Sequence, residues 1–280
     1  MILDVIRWNV SPEIWTIGPF QLRWYGLLFA TGFLIGFYIM QRIYRREQRP
    51  EKDLDTLLGY ILIGTIVGAR LGHCFFYEPE YYLAHPIEII KVWEGGLASH
   101  GGTIGVFLAL FLYSRKRPNQ PFLWLADRLA IPTALTASLI RLGNLFNSEI
   151  YGKITDVPWA FIFERVDPHP RHPTQIYEAA AYLVLFILLV VLYWRGIYDK
   201  WAVGRPLGLF LLWVFGWRVL IEWVKEPQEA FSLGIPYLNM GQLLSFPFLA
   251  IGLYLLLRKR ASPSFNQPLS NPVARSPKSQ

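Results

Sequence analysis

Cysteine is nearly absent from this 280-residue chain. The one that occurs, Cys74, leaves no internal disulfide for a fold to depend on, and its place in an apolar run suits a buried, inert thiol. The adjacent His73 points to another helical face, so a catalytic thiolate finds no base at helical spacing. Charge is scarce too: Asp, Glu, Lys and Arg make up 17%, against about a quarter in an ordinary soluble domain. Carboxylates are the scarcer sign, 20 against 27 cations, for a net charge of +7. No repeat of solenoid period is visible. A cleavable signal is not expected either, because residues 1–23 carry Asp4, Arg7, Glu13 and Arg23 before the first long apolar run.

What is present is hydrocarbon, 53% of the residues, gathered into runs over about 24–41, 54–77, 97–113, 122–142, 175–194, 206–224 and 238–257. Each approaches the roughly 20 residues a helix needs to cross a bilayer core. The third run opens with Ser99-His100-Gly101-Gly102 and the fourth contains Asp127-Arg128, which weakens both patterns. Lys and Arg alternate between connections, with five in 42–53, three in 114–121, three in 195–205 and five from Arg258 onward, more than half of the 27. The positive-inside rule makes those segments cytoplasmic. The pattern predicts an all-α polytopic membrane protein with seven transmembrane helices, N-terminus out and C-terminus in. The same scatter leaves no basic stripe for a nucleic acid to follow.

Residues 1–257 are read as one membrane domain, and the Ser-, Pro- and base-rich tail 258–280 as disordered and cytoplasmic. Residues 78–96 read as a periplasmic arm lying at the membrane surface, with Pro79 and Pro86 limiting helix. Residues 143–174, with Pro158, Pro168, Pro170 and Pro173, read as a small periplasmic head of strand or turn character. Gly64, Gly68 and Gly72, four apart, make a seam for close helix packing, and no chemistry is assigned to them.

Five ionisable side chains stand inside or at the rim of these runs: Arg70, His100, Arg141, Arg218 and Glu222. A charge in hydrocarbon costs roughly 3 kcal/mol or more, so such groups face a cavity, a partner or a charged substrate. Arginines outnumber carboxylates among them, which points to an anion supplied from outside the chain. The His100-Gly101-Gly102 turn opens a helix whose free N–H groups attract anions, and two glycines admit a ligand to the backbone. The same dipole favours a neutral imidazole able to accept a proton. Equally, Ser99 caps the helix and His100 is an interfacial side chain. Arg141 and Asn144 at a helix exit, followed by Glu149 and Gly152, are dense in polar groups. Arg218 and Glu222 share one helical face in the less favourable order, which leaves room for a shared ligand. Arg70 and the Asp127-Arg128 pair read as structural, Arg70 against an acidic neighbour. His169 and His172 flank Pro170 without a matching acidic or Cys ligand, so no metal is expected.

These residues carry a resemblance. Gly95-Gly-Leu-Ala-Ser-His100-Gly-Gly, Arg141-Leu-Gly-Asn144-Leu-Phe-Asn-Ser-Glu149-Ile-Tyr-Gly152, Arg171-His-Pro-Thr-Gln-Ile-Tyr-Glu178, Arg218-Val-Leu-Ile-Glu222 and Asn239-Met-Gly-Gln242 together resemble the prolipoprotein diacylglyceryl transferase family. The resemblance runs from about Trp24 to Leu257. It implies a seven-span enzyme of the bacterial inner membrane, without cofactor. Such an enzyme moves the diacylglyceryl group of phosphatidylglycerol to the lipobox cysteine of a prolipoprotein, and glycerol phosphate leaves. On that reading His100 is the base, and Arg141, Asn144 and Arg218 hold the phosphate. Tyr25 orients lipid or thiol, and Glu149 and Glu222 fix the arginines. Gly101, Gly102 and Gly152 permit close backbone approach. Two positions depart from the family: Val214 replaces a frequent tyrosine, and Lys225-Glu-Pro-Gln228 replaces a run with Arg and Asp. A small-anion transporter would place its groups nearer the midplane and show inverted repeats. An intramembrane hydrolase or acyltransferase would need a nucleophile motif that is not evident here.

Overall fold

The apolar runs become helices in the computed structural model, which describes residues 5–18, 20–226 and 240–259. In chain order the helices are α1 (Trp24–Arg46), α2 (Glu51–Phe76), α3 (Pro79–Ala84), α4 (Ser99–Lys116), α5 (Phe122–Phe146), α6 (Thr174–Trp194), α7 (Ile197–Lys200), α8 (Arg205–Ile221) and α9 (Met240–Leu257). Among the described residues α1, α2, α5, α6 and α9 are long and apolar enough to cross a membrane. The two remaining long helices fall short for visible reasons. α4 dilutes its apolar stretch with the Ser-His-Gly-Gly opening, and α8 has only 17 residues. The chain is thus mostly helical and polytopic in character. Asn239 and the tail beyond Lys259 lie outside the described residues, as does the segment 227–238.

Two compact units divide the described chain, one holding residues up to Ile39 with those from Asp127 onward, the other Met40–Ala126. In the second unit, α2 and α4 meet backbone to backbone. A Cβ added to Gly68 would collide with the Gly101 carbonyl oxygen, and one on Gly72 would stand 2.6 Å from Gly101 Cα. The seam expected from Gly64, Gly68 and Gly72 is therefore real, and Gly101 and Gly105 form its other half. A polar knot closes the opposite end of this unit. The Tyr44 and Tyr113 hydroxyls donate to Gln120 Oε1 at 2.6 and 2.8 Å, and Gln120 Nε2 and Arg117 Nε donate to Asp53 at 2.8 and 2.9 Å.

The arm is helical, in short pieces. Pro79 and Pro86 open a turn of α3 and a 3-10 turn, since a first-turn residue has no N–H bond to lose. Among the described residues and side chains Arg70, 3% exposed, meets no acidic side chain as its partner. Its guanidinium donates instead to the carbonyls of Glu88 (2.6 Å), Ile89 (3.0 Å) and Gly95 (2.6 Å), and lies over the Tyr82 ring. Backbone carbonyls satisfy the donors of this buried guanidinium fork without neutralising its charge, and these bonds pin the arm to α2. Cys74 is buried, as its apolar run suggested.

The first unit holds most of α1 and α5, together with α6, α7, α8, α9 and the head. Strands β1 (Ile6–Trp8), β2 (Glu13–Ile17) and β3 (Phe20–Arg23) precede α1, and β4 (Phe161–Phe163) and β5 (Pro170–Arg171) lie between α5 and α6. β1 runs parallel to β4, which pairs antiparallel with β5, so strands more than 150 residues apart share one sheet. The N-terminal strands were not expected, because that partner is invisible to local pattern. The head's core is Leu145, Phe161 and Phe163, with Trp8, Tyr151 and Ile176 packed around it.

Asp127, 1% exposed, turns out to be a long-range helix cap. Its carboxylate accepts from Gly204 N at 2.7 Å and Leu207 N at 2.9 Å, satisfying the orphan donors that open α8. Asp127→Ala should therefore lower stability by about 1–2 kcal/mol, read as an earlier thermal transition of the purified protein. Asp127→Asn should recover part of that loss.

Candidate active site

Arg141 leaves the last turns of α5 and meets Glu178 on the first turns of α6, with Nε 3.2 Å from Oε2. Glu178 is 1% exposed. Its carboxylate also lies 3.9 Å from Lys225 Nζ, and its Oε1 accepts a 3.4 Å hydrogen bond from Tyr182. Among the described residues Oε2 makes no aligned hydrogen bond, so it acts on both cations through charge, and Glu222 adds a second attraction on Lys225. Lys225 stands just past α8, and burial pushes its ammonium below the ordinary lysine value against the opposing pull of Glu178. Arg218 lies within electrostatic reach of Tyr182 and Lys225, and its Nε is buried without an acceptor among the described residues.

On its other side Arg141 donates from Nη1 to Asn144 Oδ1 at 3.3 Å. Asn144 Nδ2 in turn donates to Glu149 Oε1 at 2.7 Å. Tyr25 reaches the same helix end, because Trp24 stacks on Phe146 at 4.8 Å and the Tyr25 ring lies against Gly143. Tyr25, Arg141, Asn144 and Glu149 are thus brought together. Glu149 holds Asn144 rather than an arginine, and the carboxylate on Arg141 is Glu178. The sequence reading missed that role, although an acid in an otherwise apolar run was the available signal. Glu222 is the residue that closes α8.

The segment after α5 is strained and then strapped. Ser148 and Ile150 have φ of +54° and +59°, a region that disfavours a β-branched residue. Thr174 Oγ1 donates to the Ile150 carbonyl at 2.8 Å, and Gln175 Nε2 to the Glu149 carbonyl at 2.7 Å. The Thr174-Gln175 pair thus holds the turn that aims Glu149, and the same helix delivers Glu178 one turn later. Gly152 sits where three segments converge: its N–H donates to the His172 carbonyl at 2.8 Å, and its own carbonyl accepts from Arg171 Nη1 at 3.3 Å. The close approach it permits is to the protein's own backbone.

His100 is exposed in the first turn of α4, in the unit Met40–Ala126. Ala98 occupies the cap position there, so Ser99 is the first helical residue and not its cap. Gly101 is filled by the contact with Gly68 and Gly72, while Gly102 has only ordinary contacts around it. Among the described residues no three His, Cys, Asp or Glu side chains gather as a metal site.

Two head residues make the head's stability depend on pH. The Arg171 hydrogen bond holds the Asp167 carboxyl below its ordinary value of 3.8, and burial pushes the His172 imidazole below 6.5. Both groups bind protons more readily in the unfolded chain, so the stabilisation is complete at neutral pH and is lost on acidification. Amide protection factors over 152–172, taken relative to the intrinsic exchange rate at each pH, should fall as pH drops below 6.5, and again below 3.8. Asp167→Asn should remove the second step alone.

A family model described as prolipoprotein diacylglyceryl transferase matches residues 12–258. Proteins called phosphatidylglycerol–prolipoprotein diacylglyceryl transferase are similar to this chain along most of their length. That of Tolumonas auensis is 57% identical over 90% of this chain and 97% of its own. Those of Chloroherpeton thalassium (51%, over 90% and 94%) and Porphyromonas gingivalis (45%, over 92% and 96%) follow. The match spans both the helices and the strapped cationic cluster, and the chain belongs to the prolipoprotein diacylglyceryl transferase family.

Proposed function

We propose that this protein transfers the diacylglyceryl group of phosphatidylglycerol to the lipobox cysteine thiol of a prolipoprotein. The observation that carries this reading is the buried Arg218 Nε, without an acceptor among the described residues, beside a cluster in which Arg141 and Lys225 share the Glu178 carboxylate. A phosphodiester anion supplies an acceptor for that N–H. The names of the relatives favour group transfer over transport or hydrolysis.

In the reaction the thiolate sulfur attacks the glyceryl carbon, a C–S bond forms, and the C–O bond to phosphate breaks. The electron pair departs with glycerol phosphate. Arg141 and Arg218 stabilise the charge that grows on the leaving oxygen, Asn144 and Glu149 hold Arg141 in place, and Tyr25 orients lipid or thiol. A thiol is only a few per cent ionised near pH 7, so a base speeds attack, and His100 takes that proton. Gly101 and Gly102 leave the backbone at the start of α4 uncrowded by side chains, Gly152 lets the head segments meet, and Glu222 sits one turn beyond Arg218. The setting is the bacterial inner membrane, crossed seven times with the N-terminus outside. The basic connections support that sidedness.

The decisive assay incubates the purified chain with phosphatidylglycerol and a lipobox peptide. Peptide mass should rise by one diacylglyceryl group. Lipid loss without that gain would mean hydrolysis, and inertness towards both would sink the reading. His100→Gln should slow thioether formation by about 10²–10⁴-fold, with partial recovery at high pH where the thiol ionises by itself. Full activity in that variant would remove His100 as the base.

A further inference from the structure

Two neighbouring side chains on α8 hold buried donors without acceptors among the described residues: Arg218 at Nε and Trp217 at its indole Nε1. Trp213, one turn earlier, differs, since its Nε1 donates to the Ala181 carbonyl at 2.9 Å. A buried N–H left unbonded forfeits its bond to water and gains nothing in return. The Trp217 ring lines a groove of about 570 Å³ between α6 and α8, a size suited to a small-molecule ligand. Ala180, Ala181 and Val184 face Trp213 and Leu220 across it, and Tyr177 brings the one hydroxyl.

The groove adjoins the cationic cluster through the same two helices. Trp217 and Ile221 line it while Arg218 between them does not, and on α6 Tyr177 and Ala181 line it while Glu178 does not. Along α8 the order is therefore a cation, then a neutral donor, then an apolar channel. A diacylglyceryl phosphodiester presents the complementary order: phosphate, ester carbonyl, hydrocarbon chain.

We propose that this groove takes one acyl chain of the lipid substrate, with Trp217 Nε1 donating to that chain's ester carbonyl. The assignment rests on the transferase reading above and adds the means by which the enzyme distinguishes an ester lipid from an ether one. It also makes Ala180 and Ala181 the residues that leave room for the chain.

The test uses the full chain, a lipobox peptide and three lipids: dioleoyl phosphatidylglycerol, its dialkyl ether analogue and the dihexanoyl ester. Wild type should show a KM for the ether lipid about five- to tenfold above that for the dioleoyl ester, the worth of one hydrogen bond. Trp217→Phe keeps the ring and removes the donor, so that ratio should fall towards one. Ala180→Phe should raise the dioleoyl KM relative to the dihexanoyl KM. Ala180 is exposed, so this second variant reports on the groove even where the first folds poorly. An ether-to-ester ratio unmoved by Trp217→Phe, or a chain-length ratio unmoved by Ala180→Phe, overturns the assignment and leaves the transferase reading intact. A wild type that transfers neither ester lipid overturns both.

Discussion

Replacing Arg141 with Ala should reduce thioether formation by about 10²–10³-fold, measured as lipidated peptide per minute at saturating lipid. The guanidinium is held from two sides, by the Glu178 carboxylate at 3.2 Å and the Asn144 carbonyl oxygen at 3.3 Å, so its position does not depend on substrate. A group fixed in advance stabilises departing charge without reorganising at the moment of reaction. Arg141→Lys should recover little of the loss, because an ammonium cannot span Glu178, Asn144 and a phosphate as a planar fork can. The truncation also leaves Glu178 buried against Lys225 alone, and breaking a buried pair costs about 3–5 kcal/mol. Arg141→Ala combined with Glu178→Gln and Lys225→Met removes these three charges together and should therefore melt nearer to wild type while staying inactive. A single variant within tenfold of wild type would remove Arg141 from the chemistry.

Gly152→Ala should be nearly as damaging, for a different reason. Its Cβ would stand 2.6 Å from His172 Cβ, 2.7 Å from the Val224 carbonyl oxygen and 2.8 Å from that of His172. Two of those atoms are backbone already bonded to their neighbours, so the head must shift, at a cost of about 1–3 kcal/mol. The displaced segment is the one that aims Glu149 at Asn144 and so steadies Arg141. A misplacement of about 1 Å in such a chain costs roughly a hundredfold in rate. Activity should collapse while the helical circular dichroism stays near wild type, and proteolysis in 151–172 should quicken. A fully active Gly152→Ala would show that the convergence of these segments is irrelevant to the reaction.

Part of the cluster was readable from sequence, while Glu178, Lys225 and the pairings were not. Arg141, Asn144 and Arg218 stood out because charge and amide are rare in apolar runs. Glu149 was expected to grip an arginine and instead grips Asn144, while Glu178, quoted only as part of a motif, holds Arg141. The two carboxylates differ in how they arrive: Glu149 hangs on a strained turn strapped by Thr174 and Gln175, and Glu178 rides on α6 itself. Nothing in spacing ranks those routes. Arg70 makes the same point, since carbonyls of the arm satisfy it where an acidic side chain was expected.

By itself the sequence determined where helices form and that they suit a membrane, because hydropathy and helix boundaries are set by residues a few positions apart. It determined the glycine seam of α2 for the same reason. Only the tertiary structure decided that Gly101 is the seam's other half, that Asp127 caps α8, that β1 pairs with β4, and that Trp217 keeps a buried donor without an acceptor among the described residues. Each of these joins residues tens of positions apart, or asks which polar atoms are left over once all others have paired. Such contacts are fixed by packing of whole elements, which no local pattern encodes.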